Sequence, residues 1–376
     1  MLIFNYLLCS IFSIYCFVII WLIFGNKKSS NKLNKELHSV SIIIAIRNGE
    51  KTLPDLIQDL SLQDYSGEFE IILVDDNSND GTKDIIKNVI QKDDHFKYQS
   101  SQEGDSSLNF KKRALDAGIK IAKNEWMLFT DADCRLPVSW LSGMVRYFHS
   151  DTDYVIGHSY VKKNSGFINI FESIDFFLLL VSAFGSANHG HPLACTGQNQ
   201  AYRKSLFYKV GGFSKINYHL QGDDSLFMNI CKKICKSKIV FASNKECHAY
   251  VRGEKKWLNL LNQRLRWSGD ANIMWKINIY FYLILCGFLF LHIKLFFLFL
   301  CAIFFNEYLL LLSQYLLIKF VFELGLYHIG CKCLNNTMNL FDFTIWYFIH
   351  IPYVVLIGLG SFFHKNINWK GRKYNF

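Results

Sequence analysis

Three short apolar runs, each closed by a polar turn, set the strongest limit on what this chain folds into. They are Val40-Ser41-Ile42-Ile43-Ile44-Ala45, Glu70-Ile71-Ile72-Leu73-Val74 and Trp126-Met127-Leu128-Phe129-Thr130. Runs of this kind read as strands buried on both faces, which belong to parallel sheets covered by helices. Between the first two, Leu53, Leu56, Ile57, Leu60 and Leu62 mostly follow helical spacing. Asp80-Gly81-Thr82 supplies a turn and cap before a helix carrying Ile85, Ile86, Val89 and Ile90, and residues 114–122 read as another helix. The expected fold class is α/β with a mainly parallel sheet. The runs end at Arg47-Asn48-Gly49-Glu50, Asp75-Asp76 and Asp131-Ala132-Asp133. Open α/β sheets bind ligands outside the carboxyl ends of their strands, so these groups are expected at one edge, a nucleotide-binding crevice in outline.

Asp131-Ala132-Asp133 carries the most specific chemistry of the three. Two carboxylates on one short step are costly unless something positive lies between them, and oxygen-only ligands suit a hard divalent cation that also grips phosphates. A solvated strand-to-loop turn is the competing reading of the tripeptide taken alone.

Apolar residues make up 51% of the 376, including 34 Phe, which is high for a soluble protein. Residues 2–24 are uncharged and almost wholly apolar, and at about 1.5 Å per residue they reach roughly the 30 Å of a bilayer core. No Lys or Arg precedes them, and Gly25-Asn26-Lys27-Lys28 stands where a small-residue cleavage site would be, so a retained transmembrane anchor is expected in place of a signal peptide. Lys27, Lys28, Lys32 and Lys35 predict that this end, and with it the middle of the chain, faces the cytoplasm. Residues 277–322 have room for two further spans and 343–363 for one. The basic tail over 365–373 prefers the cytoplasm, which requires an even number of crossings and makes one of the three interfacial or re-entrant. Lys319 and Glu323, spaced i,i+4, are expected to pair on a helix near the interface. The expected organisation is an anchor over 1–26, a catalytic domain over 39–275, transmembrane or interfacial helices over 277–364 and a basic tail over 365–376.

The eleven Cys are scattered, as reduced thiols are, and the pairs Cys231/Cys235 and Cys331/Cys333 lack the partners of a zinc site. The net charge of +10 is densest beside the apolar spans, so its expected partner is membrane lipid, with no motif pointing to nucleic acid.

Five motifs in order resemble the membrane-bound family 2 glycosyltransferases, inverting enzymes of GT-A fold related to ceramide glucosyltransferase, cellulose synthase and hyaluronan synthase. They are Arg47-Asn48-Gly49-Glu50, the stretch 74–82 with Asp75-Asp76, Asp131-Ala132-Asp133, Gly222-Asp223-Asp224, and Gln263-Arg264-Leu265-Arg266-Trp267, the Q-x-x-R-W signature. The resemblance runs over roughly 40–270. It implies a nucleotide-sugar site at Asn48, Glu50, Asp75, Asp76, Lys111 and Asp131, and Mg²⁺ or Mn²⁺ on Asp133 with Asp131. Inversion needs a carboxylate that takes the acceptor hydroxyl proton. The family pattern, usually Glu-Asp with the second acid as base, puts that role on Asp224, with Asp223 in place of Glu. A pair of acids favoured by a helix N-terminus is the structural alternative.

The same resemblance assigns Gln263, Arg266 and Trp267 to the diphosphate and acceptor, on one helix face at i, i+3 and i+4. An aromatic and basic interfacial anchor is the plainer reading. Residues 195–203 match a stretch on the acceptor side, where Gly197 permits close approach and Asn199 can bond a hydroxyl. Lys111, Lys112 and Arg113 match a stretch usually spelled G-K-x-x-A-L, with Phe110 at the glycine position; they face phosphate or form a solvated basic face. The ending Asn368-Trp369-Lys370-Gly371-Arg372-Lys373-Tyr374 resembles a W-x-G-R-x-Y ending of some members.

The expected function is inverting transfer of a sugar from a nucleotide donor, UDP-linked by preference, to a lipid-linked or membrane-associated glycan acceptor. The expected place is the cytoplasmic membrane, with the catalytic domain in the cytoplasm. The rivals are a processive polysaccharide synthase and a non-catalytic membrane scaffold with a transferase-like domain.

Overall fold

The computed structural model describes residues 2–28, 33–219, 221–363, 366–369 and 372–375, with side chains for 9–28, 33–219 and 221–363. Lys32 of the expected basic cluster lies outside the described residues, as do Lys365, Lys370 and Gly371 of the tail and the side chains of the W-x-G-R-x-Y ending. The chain forms two compact units: one holds Met1–Lys28, Lys163–His189 and Gly253–Ile367, the other Ser29–Lys162, Gly190–Arg252 and Asn368–Phe376. The longer helices run in chain order as α1 Leu2–Lys27, α2 Leu53–Ser61, α3 Thr82–Ile90, α4 Phe110–Ile121, α5 Phe167–Asn188, α6 Ser225–Cys235, α7 Trp257–Ala271, α8 Ile279–Phe304, α9 Glu307–Cys333 and α10 Leu340–Phe363.

In the α/β unit seven strands form one sheet: β1 Val40–Ile46, β2 Phe69–Asp75, β3 Phe96–Ser100, β4 Trp126–Phe129, β5 Tyr154–Gly157, β6 Gln200–Arg203 and β7 Ile239–Ala242. Their spatial order is β3-β2-β1-β4-β6-β5-β7. All pairings are parallel except those of β6, which runs against both β4 and β5. The mainly parallel sheet is the one expected, because β1 is buried on both faces: Val40, Ile42, Ile43, Ile44 and Ile46 are 0% exposed. Burying each such side chain contributes roughly 1.5–3 kcal/mol. Helix α4 lies on β1 and β2 and meets them through Gly118, where an added Cβ would come within 2.6 Å of Ile43 Cγ2 and 2.9 Å of Val74 Cγ2.

Strand order turns back between β1 and β4, which are neighbours although two strands separate them in sequence. The crevice of an open sheet opens at such a reversal. Its rim is made here by the segments after β1, β2 and β4, which carry Asn48 and Glu50, Asp76, and Asp131 with Asp133.

In the helical unit α1, α5 and α7 to α10 pack against one another. Five of these helices, α1, α5, α8, α9 and α10, are long and apolar enough to cross a membrane. Helix α5 differs from the expectation, which left its residues inside the catalytic domain. Its flanks feed β5 and β6, which pair side by side, so α5 cannot carry the chain across a bilayer alone. A lone extended return would strand its backbone polar groups in hydrocarbon. Burial agrees: 72% of its apolar window is inside the protein, against 22% to 33% for the other four. Lys319 and Glu323 do pair, at 2.7 Å, and the pair is buried among the packed helices, with the Lys319 side chain 0% exposed.

Candidate active site

The loops after β1 and β2 are knitted to each other before any ligand is considered. Arg47 donates to the carbonyls of Asp76 (2.7 Å) and Asn77 (2.9 Å). The Asn48 amide donates to Ser78 Oγ at 2.9 Å, and its Oδ1 accepts from the Asn79 amide at 2.9 Å. Glu50 Oε2 accepts from Gly81 at 3.3 Å, and the Glu50 amide donates to Asp80 at 3.1 Å. Asn48 and Asn77 adopt φ of 49° and 52°, a left-handed conformation that asparagine tolerates best after glycine. The spelling of these loops is thus explained in large part by loop packing. Asp75 (1% exposed) accepts from Ser78 at 3.1 Å and lies 3.8 Å from Lys83 Nζ, and Asp76 (6%) accepts from Ser101 Oγ at 3.2 Å.

The second half of the site is gathered around one ammonium group. Lys111 Nζ lies 2.8 Å from Asp131 Oδ1 and 2.8 Å from Asp223 Oδ2. A Cβ added to Gly197 would lie 3.0 Å from Lys111 Nζ, 3.2 Å from Asp223 Oδ2 and 3.7 Å from Asp224 Oδ2, so a side chain here would crowd the cluster. Asp224 caps α6: its Oδ1 accepts from the Ser225 amide at 2.5 Å and its Oδ2 from the Gly197 amide at 3.2 Å. Gly222, at φ +100°, makes the turn that delivers both acids. Asp133, one step past Asp131, is exposed.

Electrostatics set the protonation states. Burial works against charge on Lys111, but Asp131 and Asp223 outweigh it and hold the ammonium above the ordinary lysine range. Burial, with Asp223 beside it, pushes the Asp224 carboxyl up to about 6, and Lys111 pulls the other way. A carboxylate needed as a base works above that value and fails as pH falls through it. We therefore expect the acidic limb of kcat/KM to centre near pH 6. Asp223→Asn removes the neighbouring charge and should move that limb to lower pH; a pH profile with an unmoved limb would contradict the coupling.

The three basic residues expected to face phosphate or solvent separate. Lys111 joins the acids. Lys112 is 0% exposed and donates to the carbonyls of Ile216 (2.7 Å), His219 and Gln221 (2.8 Å), anchoring the segment that leads into Gly222-Asp223-Asp224. Arg113 donates to the Gln102 carbonyl at 2.9 Å. Phe110 has φ +54°, the region glycine favours, so the backbone turn survives without glycine at a cost of roughly 1 kcal/mol or more.

Asn199 corrects the sequence reading. Expected on the acceptor side, it is 0% exposed, with Oδ1 accepting from Trp140 Nε1 at 3.1 Å and Nδ2 donating to the carbonyls of His158 and Cys247 at 2.8 Å each. Its amide is spent on the interior and has nothing left for a substrate hydroxyl.

The Q-x-x-R-W segment lies on α7, in the helical unit. Gln263, Arg266 and Trp267 are half-buried. The residue that organises the segment is Arg264, which the sequence did not single out. It is 5% exposed; its Nε donates to Asp175 Oδ2 at 3.1 Å, its Nη1 to Gln263 Oε1 at 3.0 Å, and its guanidinium lies 4.2 Å from the Trp267 ring centroid. Only its partner Asp175, one of two acids with Glu172 in the apolar run of α5, offered a signal in the sequence.

Asp131 and Asp133 fit a hard divalent cation. The donors are oxygens only, Asp133 is exposed, Asp131 is partly exposed, and a cation already sits against Asp131 in the form of Lys111.

The family model described as "Glycosyl transferase family 2" matches residues 41–211. Among curated proteins, a GalNAc(5)-diNAcBac-PP-undecaprenol beta-1,3-glucosyltransferase of Campylobacter jejuni is 30% identical over 124 residues, 33% of this chain and 39% of the relative. A poly-beta-1,6-N-acetyl-D-glucosamine synthase of Staphylococcus aureus is 26% identical over 193 residues, 50% of this chain and 44% of the relative. The chain thus spans less than half the length of these relatives. Among solved structures, the mannosyltransferase PcManGT of Pyrobaculum calidifontis, in complex with GDP-Man and Mn²⁺, aligns over 97% of this chain and 98% of its own at 15% identity, with a TM-score of 0.61. That likeness is one of fold. Residues 41–211 are thus similar to the family 2 glycosyltransferases, and the α/β unit has a GT-A-like fold, with long apolar helices towards both ends of the chain.

Proposed function

We propose that the chain is an inverting glycosyltransferase that moves a sugar from a nucleoside-diphosphate donor, UDP-linked by preference, to a lipid-linked or membrane-associated acceptor. The observation that carries this reading is Lys111 bridging Asp131 and Asp223 at 2.8 Å each, with Asp224 next in sequence and bonded to the same Gly197. The acid that holds the diphosphate side and the acid that takes the proton are thereby only a few hydrogen-bond lengths apart, the spacing a displacement at one sugar carbon requires.

In this reading Asp76 and the Asn48 and Glu50 loop form the nucleotide side, with Asp75 bracing the turn below. Asp131 and Asp133 hold Mg²⁺ or Mn²⁺, which when bound supplies positive charge for the departing diphosphate. Lys111, an ammonium that stays charged, adds to that charge from the protein side. Asp224 accepts the hydroxyl proton as the acceptor oxygen bonds to the anomeric carbon and the bond to the diphosphate oxygen breaks. Asp223 keeps Asp224 basic enough to do so near neutral pH. Gln263, Arg266 and Trp267 are assigned to the acceptor and diphosphate on their motif alone. The Campylobacter relative, whose name gives an undecaprenol-linked acceptor, supports a lipid-linked one. The catalytic unit is assigned to the cytoplasm on the basic residues after α1.

A processive synthase is the second reading, favoured by the name of the Staphylococcus relative. Product length separates the two: one added sugar against a ladder. The proposal itself is tested by thermal unfolding in detergent against a panel of nucleotide sugars with and without Mn²⁺. A donor at about 100 times its Kd should stabilise the protein by roughly 2.7 kcal/mol, and only with the ion present. No stabilisation by any UDP- or GDP-sugar would count against it.

A further inference from the structure

A second cluster of ionisable side chains lies in the helical unit. Helices α8, α9 and α10 each turn one inward: His292, Glu323 and His350 are 0%, 4% and 7% exposed. Each offers one ligand atom, and those atoms lie within 4.8 Å of one another. Ionisable groups inside apolar helices are expensive and are kept where they meet partners or do work. Glu323 has partners: Tyr15 donates to its Oε1 at 2.5 Å, and Lys319 Nζ lies 2.7 Å from its Oε2. The two imidazoles each keep one nitrogen, His292 Nε2 and His350 Nδ1, with no hydrogen-bond partner among the described residues.

The other nitrogen of each ring fixes the tautomer. His292 Nδ1 is 2.7 Å from the Phe288 carbonyl, which can only accept, so the proton is on Nδ1 and Nε2 keeps its lone pair. His350 Nε2 faces Asp175 Oδ1 at 3.9 Å, and Asp175 is itself held by Arg264, which favours the proton on Nε2 and leaves the lone pair on Nδ1. Imidazoles whose far nitrogen is turned to a carbonyl or carboxylate are the form in which histidine binds metal. Two such lone pairs and a carboxylate, brought together from three helices, make a His₂Glu donor set, and bundles build metal sites in this way.

We propose that the helical unit binds one borderline divalent transition-metal ion, of the zinc class, through His292, Glu323 and His350. Its nitrogen-rich donors set it apart from the oxygen-only pair Asp131 and Asp133. Lys319 sets the condition for uptake. Its ammonium is the cation on Glu323 without the ion, and it must leave Oε2 or lose its proton as the ion binds. Zinc and the Lys319 charge therefore compete.

The test is elemental analysis of the purified full-length chain in detergent, stripped with a chelator and dialysed against Zn²⁺ under excess Mg²⁺. Wild type and Asp133→Ala should retain roughly one zinc per chain, and His292→Ala/His350→Ala less than about a tenth of that. Lys319→Met should bind zinc more tightly than wild type. Co²⁺ in the wild-type protein should give the visible absorption of a tetrahedral nitrogen and oxygen site, a readout that needs no variant to fold. Zinc absent from wild type, equal in the double-histidine variant, or lost from Asp133→Ala would overturn the proposal, as would a Co²⁺ spectrum of octahedral, water-like form.

Discussion

Asp224→Asn should lower turnover by about 10²–10⁴-fold, the range that a general base supplies, while the protein stays folded and still binds donor. The substitution is close to isosteric, and asparagine caps helices as well as aspartate. Helix α6 therefore keeps its first bond, Ser225 N–H to Oδ1 at 2.5 Å. One contact is weakened, because a carboxamide has a single acceptor oxygen and Gly197 N–H now bonds to the second. That loss costs about 1 kcal/mol, too little to unfold the domain. Donor affinity from thermal stabilisation and the rate from a transfer assay read the two effects separately. Retained turnover in a folded Asp224→Asn protein would remove Asp224 as the base and leave Asp223 as the remaining acid of the pair.

Asp133→Ala is expected to have the next largest effect. Asp133 is exposed at the rim of the crevice, so truncation should change stability by no more than about 0.5 kcal/mol. Charge stabilisation by a metal at the leaving group amounts to several kcal/mol, which corresponds to a rate loss of roughly 10²–10³-fold. Chelation with EDTA should reproduce that loss in wild type, and added Mn²⁺ should reverse it. The variant should need far more Mn²⁺ for its residual rate. Full activity without divalent ions would contradict the metal role and leave Lys111 as the cation at the diphosphate.

The sheet was legible because β1, β2 and β4 are written in residues with no other use: Ile42, Ile43 and Ile44 have one plausible setting, a strand buried on both faces. The acids at the strand ends were visible as candidates, but not their separate uses: Asp75 braces a turn through Ser78, while Asp131 meets Lys111. What the sequence did not disclose depends on contacts between distant residues. Asn199 looks the same to sequence analysis whether its amide faces a crevice or, as here, Trp140 and two carbonyls. Lys111 and Lys112 are adjacent and alike, yet their different directions from α4 send one to the acids and the other to a set of carbonyls. Helix α5 was hidden because its apolar residues suit a domain core as well as a helix bundle, and only the pairing of β5 with β6 shows that its two ends return to one sheet. Arg266 fills a specified position of the motif and Arg264 an unspecified one, yet it is Arg264 that is buried against Asp175. His292, Glu323 and His350 stand in three different helices, so no local spacing could have joined them.

Direct displacement at one sugar carbon, with Asp224 as the proposed base, requires inversion of the transferred sugar. Its most direct test is the anomeric configuration of the first product, read by proton NMR after incubation of the purified protein with the stabilising donor, Mn²⁺ and a membrane-lipid acceptor fraction. The account predicts a transferred sugar of configuration opposite to that in the donor, formed by wild type and not by Asp224→Asn. A product of retained configuration, or the same product from both proteins, would contradict it.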